Sequence, residues 1–236
     1  MRLAMFSVTM LSAASLVAVP TGPRGVEPPD PAFSPPAWDT AEGAPQIFEH
    51  SQEAGPDETL FLVGTNLTKD VFVWGHHTDD PKGKSIPVKV QLATNDYLAV
   101  TVPDNAFDGP KVLTVKNAAG YSEPIVINAP QPWWCSPETA APGMRVRLFG
   151  RNLACRPDGY KACIWLTATG QQARKLEVGH AGKYEAAFTL PADVKPGTYE
   201  IWLHGGRGGA WGWASPLRLT VRKPESRLDA AKNVQF

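Results

Sequence analysis

The chain has 236 residues, with Lys+Arg 23 against Asp+Glu 23, a formal net charge of +0, and 43% hydrophobic and 19% charged residues. That balance excludes a disordered chain and leaves no electrostatic footprint for nucleic acid. Gly 21 and Pro 23 point to many short strands joined by tight turns.

Residues 1–19 hold one early charge, Arg2, and then an apolar run of Ala, Ser, Leu and Val, with Ser12-Ala13-Ala14 as small residues for cleavage. This reads as a secretory signal peptide, with an uncleaved membrane anchor as the alternative. No other segment is apolar enough to span a membrane. Residues 20–43 form a Pro-rich linker. Pro28-Pro29, Pro31 and Pro35-Pro36 favour an extended polyproline conformation and cannot support a sheet ladder.

From Ala44 onward the pattern is of strands. Thr59 to Val63 is a short apolar run ending at Gly64-Thr65-Asn66-Leu67. Gly and Asn tolerate turn conformations that other residues resist. Asp70 to Trp74, Ile86 to Leu92, Leu98 to Val102, Val112 to Val115 and Ile125 to Ile127 complete a first set. In Ile86 to Leu92 the apolar residues alternate, which puts Ile86, Val88, Val90 and Leu92 on one face. The plan then repeats as Met144 to Phe149, Ala162 to Thr167, Lys175 to Val178, Tyr184 to Leu190, Thr198 to Leu203 and Leu217 to Val221. Ala44-Pro45-Gln46 recurs as Ala129-Pro130-Gln131, and Gly64-Thr65-Asn66-Leu67 as Gly150-Arg151-Asn152-Leu153. The offset grows from about 85 to about 92 residues, which marks a duplicated domain and not a solenoid. The expected division is 44–128 and 129–222, with 223–236 a tail leading to a further domain. Between the copies, Pro130 and Pro132 make a short stiff connector, and Trp133 and Trp134 are expected to bury between the domains and fix their angle.

The order of these motifs resembles the IPT/TIG group of immunoglobulin-like domains. It is carried by Gly64-Thr65-Asn66-Leu67 and Gly150-Arg151-Asn152-Leu153, by Val102-Pro103 and Leu190-Pro191, by Asp108-Gly109 and Pro196-Gly197-Thr198-Tyr199, and by Ser122-Glu123-Pro124 and Ser215-Pro216. The resemblance implies an all-β chain of two tandem immunoglobulin-like β-sandwich domains. The Trp133-Trp134-Cys135 junction and the Gly/Trp-rich final hairpin also resemble the N-terminal region of exported bacterial proteins with a pectate-lyase-like right-handed β-helix. That likeness implies a catalytic domain beyond Phe236. No β-helix repeat is present to carry a catalytic residue.

Several residue groups are candidates for a site. Eight tryptophans are many for this length. Exposed tryptophan on a sandwich rim can stack on the apolar face of a sugar while polar neighbours take its hydroxyls. Trp211, with Arg207 and His204 in the glycine-rich loop, is the candidate polysaccharide platform. The alternative places Trp165, Trp202 and Trp213 in the core, Trp133 and Trp134 between the domains, and the glycines in a wide hairpin. Cys155 and Cys163 flank a turn and could form a local disulfide, or all three cysteines, Cys135 included, could stay reduced. His76-His77 with Asp79-Asp80, and Asp96 with Asp104 and Asp108, read as solvated turns and not as metal sites. Asn66-Leu67-Thr68 has the form of a glycosylation acceptor, which its place in the turn explains without sugar. No nucleophile elbow, zinc motif or phosphate loop occurs, and no cofactor is implied. The expected function is a non-catalytic accessory or spacer module of an exported carbohydrate-active or cell-surface protein, secreted, periplasmic or on the cell surface, with polysaccharide as candidate partner. The alternative is a protein–protein adhesion or scaffold module without sugar affinity.

Overall fold

The computed structural model describes residues 22–23, 26, 41–68, 72–77, 85–102, 109–155 and 162–223. Residues 1–19, most of residues 20–43, Asp79-Asp80, Asp104, Asp108 and residues 224–236 lie outside the described residues. Among the described residues seven strands precede Asn128: β1 (Gln46–His50), β2 (Thr59–Thr65), β3 (Phe72–His77), β4 (Ser85–Ala93), β5 (Tyr97–Thr101), β6 (Lys111–Lys116) and β7 (Ile125–Ile127). Nine follow it: β8 (Gln131–Ser136), β9 (Thr139–Ala140), β10 (Arg145–Arg151), β11 (Cys163–Thr167), β12 (Arg174–Leu176), β13 (Val178–Ala181), β14 (Glu185–Thr189), β15 (Gly197–His204) and β16 (Leu217–Val221). The only helical piece among the described residues is a 3-10 turn at Gly209–Gly212. No helix among them is long and apolar enough to cross a membrane.

The first seven strands run in the order β1-β2-β5-β4-β3-β6-β7. Strand β4 belongs to two layers. It pairs with β3 through Val88 and with β5 from Lys89 onward. Beyond Asn128 the layers are separate, β13-β14-β10-β8 and β12-β11-β15-β16-β9. Here the strand that changes layers is divided into β12 and β13. The sequence pattern read it as one strand, because Leu176 and Val178 continue the alternation. Among the described residues no sheet mixes strands from the two sides of Asn128. The chain is thus two tandem immunoglobulin-like β-sandwiches. A tyrosine corner marks the second: the Tyr199 hydroxyl donates to the Lys195 carbonyl at 2.9 Å.

Period-two alternation fills each core. Leu60, Leu62, Leu98, Val100, Leu113, Val115 and Ile127 meet in the first sandwich. Val146, Leu148, Ile164, Leu166, Phe188, Ile201 and Leu219 meet in the second. The one-face expectation for Ile86 to Leu92 fails at its end. The β4–β5 register shifts between Val90 and Leu92, which turns Leu92 out to 52% exposure.

The repeated motif has one physical cause in both copies. A Cβ on Gly64 would strike the Gln46 carbonyl oxygen, and one on Gly150 would strike that of Gln131. Each Gln–Gly contact sits at a register shift, between β1 and β2 or between β8 and β10. Ala-Pro-Gln and Gly-x-Asn-Leu are therefore two halves of one bulged strand pair. Asn66 and Asn152 follow with φ of 60° and 54°, and Leu67 and Leu153 then drop fully into the cores. Asn tolerates that left-handed conformation better than other non-glycine residues.

The expected connector is shorter than the sequence suggested, because Gln131–Ser136 is itself strand β8. Pro132 fits there because β8 is an edge strand and the proline sits at the bulge. Asn128, at φ 59°, clamps the end of the first sandwich. Its side chain accepts from Ala54 N–H at 3.0 Å and donates to Ala54 C=O at 2.8 Å. Glu53 pairs across the junction with Lys183 at 2.6 Å and Arg151 at 3.5 Å. The contact with Glu53 raises the Lys183 ammonium above its ordinary pKa.

Candidate functional site

The β8–β10 bulge decides which way two tryptophans point. Phe149 pairs with Trp134 and Gly150 with Pro132, so Trp133 is the extra residue. Neighbours on a regular strand face opposite sides. The bulge overrides this and re-aims Trp133, so its ring lies beside that of Trp134, with centroids 6.1 Å apart and planes 23° apart. Trp134 in turn stacks on Phe149 at 5.4 Å. The Arg147 guanidinium lies 4.8 Å from the Phe149 ring centroid. Glu185 holds it there by two bonds of 2.8 Å, from Nε and Nη2. These bonds lower the Glu185 carboxyl below its ordinary pKa and raise the Arg147 guanidinium. The outcome is a continuous row, Trp133–Trp134–Phe149–Arg147–Glu185, on the outer face of the β13-β14-β10-β8 sheet.

Trp133 is 56% and Trp134 48% exposed. Burial between the domains was expected and does not occur, because Trp134 faces out beside Phe149 and the bulge turns Trp133 out with it. Leaving half of a tryptophan surface in water forgoes about 2 kcal/mol per ring. Such a row is able to stack on planar apolar surfaces while the ion pair at its end offers hydrogen-bond donors and acceptors.

The loop proposed from sequence as a platform lies inside. Trp211 is 8% exposed and packs on Val112 and Val126 of the first sandwich. A Cβ on Gly208 would come within 2.8 Å of Pro110, and one on Gly109 within 3.3 Å of Arg207 Cβ. The loop thus presses against the first sandwich, and Trp211 takes the interdomain place foreseen for Trp133 and Trp134. His204 is fully buried. Its Nδ1 accepts from Gly206 N–H at 3.0 Å and its Nε2 donates to Gly209 C=O at 2.8 Å. Burial pushes its pKa down to about 4, against a smaller upward pull from the Gly209 carbonyl. Gly212 must be glycine, since a Cβ would strike the His204 ring and the Arg207 carbonyl oxygen. The structure therefore brings Trp211, Arg207 and His204 together, but with the Trp211 ring covered. The glycines do form a wide hairpin, closed by a His204–Trp213 bridge. Trp213 is buried, while Trp165 and Trp202 are half-buried register partners.

The Cys155–Cys163 disulfide that the sequence allowed is not formed. Cys135, Cys155 and Cys163 are all buried thiols outside any disulfide. Cys155 N–H bonds to Gly205 C=O while Cys163 pairs with His204, so each sulfur is placed by its own strand or turn. Burial raises the Cys135 and Cys163 thiols above their ordinary pKa. His76 and His77 are consecutive on β3. Asp96 sits in the β4–β5 turn, where its carboxylate accepts from Asn95 at 3.1 Å. Among the described residues no group of metal-ligating side chains is assembled. A cleft of 380 Å³ lies beside Gln171, Arg174, Asp193, Lys195 and Tyr199. Its Arg174–Asp193 pair is closed on itself at 2.8 Å, and it lacks an exposed aromatic platform.

The sequence named Trp133 and Trp134 but gave them the wrong neighbours. It missed Phe149, Arg147 and Glu185. Arg145-Val146-Arg147-Leu148-Phe149 did show a strand with a solvated face, and that was the available signal.

No protein-family model matches the sequence, and no curated protein matches it. Among solved structures the chain is similar to the Bacteroides ovatus mixed-linkage glucan utilization locus SGBP-B in complex with mixed-linkage heptasaccharide. The identity is 18%, over 78% of this chain and 46% of that one, with a TM-score of 0.32. It is also similar to a protein crystallised with xylogluco-oligosaccharide, at 14% identity over 70% of this chain and 38% of that one, TM-score 0.36. The chicken CNTN1 FN1–FN3 domains match at 13% identity over 78% of this chain and 69% of that one, TM-score 0.30. The chain spans less than half the length of the first two. At these TM-scores the fold class and the site rest on this chain's own strands and side chains.

Proposed function

We propose that this chain is a non-catalytic polysaccharide-binding module of an exported or cell-surface protein, and that it holds its ligand across Trp133, Trp134 and Phe149. One observation carries the reading. Two adjacent tryptophans, which a regular strand would send to opposite faces, share one exposed face because a glycine-dependent bulge puts them there. Sugar rings present flat C–H faces of matching size, and the Arg147–Glu185 pair supplies donors and acceptors for hydroxyls at the end of the row. The contacts of Glu53, Trp211 and Gly208 across the junction support the spacer part of the reading, a fixed angle between the sandwiches.

Affinity electrophoresis in gels containing neutral and acidic plant, algal and bacterial polysaccharides tests this. Retardation by at least one polymer, lost in Trp133→Ala/Trp134→Ala and kept in Phe48→Ala, is the expected result. Unchanged mobility in every gel sinks the proposal.

The second reading, a protein-adhesion or scaffold module, has its own observation. The equivalent face of the first sandwich exposes Phe48 at 67%, Phe61 at 46%, Val63 at 39% and Leu92 at 52%. Aliphatic groups mixed with aromatic ones suit a protein surface better than a sugar. Absence of all polysaccharide binding, with a protein ligand whose capture depends on Phe61, would favour it.

A further inference from the structure

The two sandwiches can be compared position by position, because the Gln–Gly bulge fixes the register in each. Phe149 stands where Val63 does, Arg147 where Phe61 does, and Arg145 where Thr59 does. Glu185 stands where Tyr97 does, since each is the register partner of the residue one before the glycine. In the first copy these positions are uncharged, and Phe61 stacks on Tyr97 at 5.5 Å. In the second copy the same outer face carries two arginines and one carboxylate. The first sandwich has no charge at these four positions and carries Glu49 and Lys89 elsewhere on that face.

The state of each charge matters. Arg147 and Glu185 cancel through their paired bonds. That pairing uses one N–H of Nε and one of Nη2, which leaves other guanidinium donors at a fixed orientation. Arg145 lies two residues along the same strand, on the same face, opposite Thr189. It is exposed and close enough to Glu185 to help lower its carboxyl. Arg145 thus adds a positive charge to this face beyond the Arg147–Glu185 pair.

We infer that the ligand of the Trp133–Trp134–Phe149 surface is an anionic polysaccharide whose sugars carry carboxylates. The inference rests on the glycan reading of the same surface and narrows its ligand class. Sugar rings stack along the aromatic row while a carboxylate is taken by Arg145 and by the donors of Arg147 that Glu185 leaves open. Arginine suits this role because its planar fork matches a carboxylate and remains charged at any working pH.

Matched polymers that differ only in charge provide the test: hyaluronate, alginate and polygalacturonate, each as the sodium salt and as the methyl ester. Retardation in affinity gels is measured for wild type, Arg145→Ala, Arg145→Glu and Trp133→Ala/Trp134→Ala. The expected result is binding of at least one sodium salt about tenfold tighter than its ester. Arg145→Ala removes most of that preference and Arg145→Glu reverses it. Raising salt from about 0.05 to about 0.5 M removes it in wild type. Equal binding of salt and ester, insensitive to Arg145, overturns the inference and leaves the glycan reading standing. Binding of neither form, with neutral glucans and xylans also unbound, overturns both.

Discussion

Gly150→Ala is the substitution that most directly probes how the motif builds the surface. The added methyl meets only backbone: the Gln131 carbonyl oxygen, Pro132 Cα at 2.7 Å and Gln131 C at 2.9 Å. No side chain can swing away, so edge strand β8 has to move or the β8–β10 bulge has to open. Overpacking of this kind costs about 1–3 kcal/mol. The structure contains its own control. Gly179 also lies on a strand of the same sheet, and a Cβ there would meet only the Ala187 carbonyl oxygen at an ordinary 3.7 Å. Neither glycine has a positive φ, so both alanines are free of backbone strain. Gly179→Ala should be neutral or stabilising by about 0.4–1 kcal/mol, since it restricts the unfolded chain. Urea denaturation followed by tryptophan fluorescence distinguishes the two. Gly150→Ala should lower the midpoint of the second sandwich, and it should weaken polysaccharide retardation because Trp133 loses its bulged position. A Gly150→Ala protein as stable as Gly179→Ala, with unchanged binding, would refute the link from motif to bulge to platform.

Three further outcomes follow from the interior. His204 has a folded-state pKa of about 4 against an ordinary 6.5. The unfolded chain takes up that proton first, so stability is full above about pH 6.5 and falls as pH drops toward 4, by up to about 3 kcal/mol. Denaturation at several pH values should show this slope in wild type and lose it in His204→Gln. Trp211→Ala should cost about 3–5 kcal/mol if the site stays open. It should also loosen the sandwiches, so that NMR relaxation gives one tumbling time for wild type and two for the variant, with polysaccharide binding unchanged. Mass spectrometry after iodoacetamide should find three alkylated cysteines in denatured protein purified without reductant, and slow labelling in native protein. A mass two units low, with one alkylated cysteine, would restore the disulfide.

The sandwich fold was legible because each core strand repeats every two residues and the motif occurs twice. Leu60 and Leu62, or Val146 and Leu148, need only local alternation to be read. Edge strands β1 and β8 were missed because Pro132 and the exposed Phe48 and Trp133 break that alternation. The site was half legible. Tryptophan number marked it, but the direction of a side chain depends on register, and one extra residue at a bulge reverses it. Trp211 looked exposed because its loop is rich in glycine. Those glycines instead let the backbone crowd His204 and Pro110, where a Cβ would not fit. The contact with Val112 and Val126 joins residues far apart in the chain, which no local pattern records.

Isothermal titration of wild type and Trp133→Ala/Trp134→Ala against the polymer that retards wild type most strongly tests the central claim. Saturable binding in wild type is expected, weakened at least tenfold in the double variant with its fold intact by far-UV circular dichroism. Equal affinities in the two proteins would contradict the claim and move the ligand away from this face.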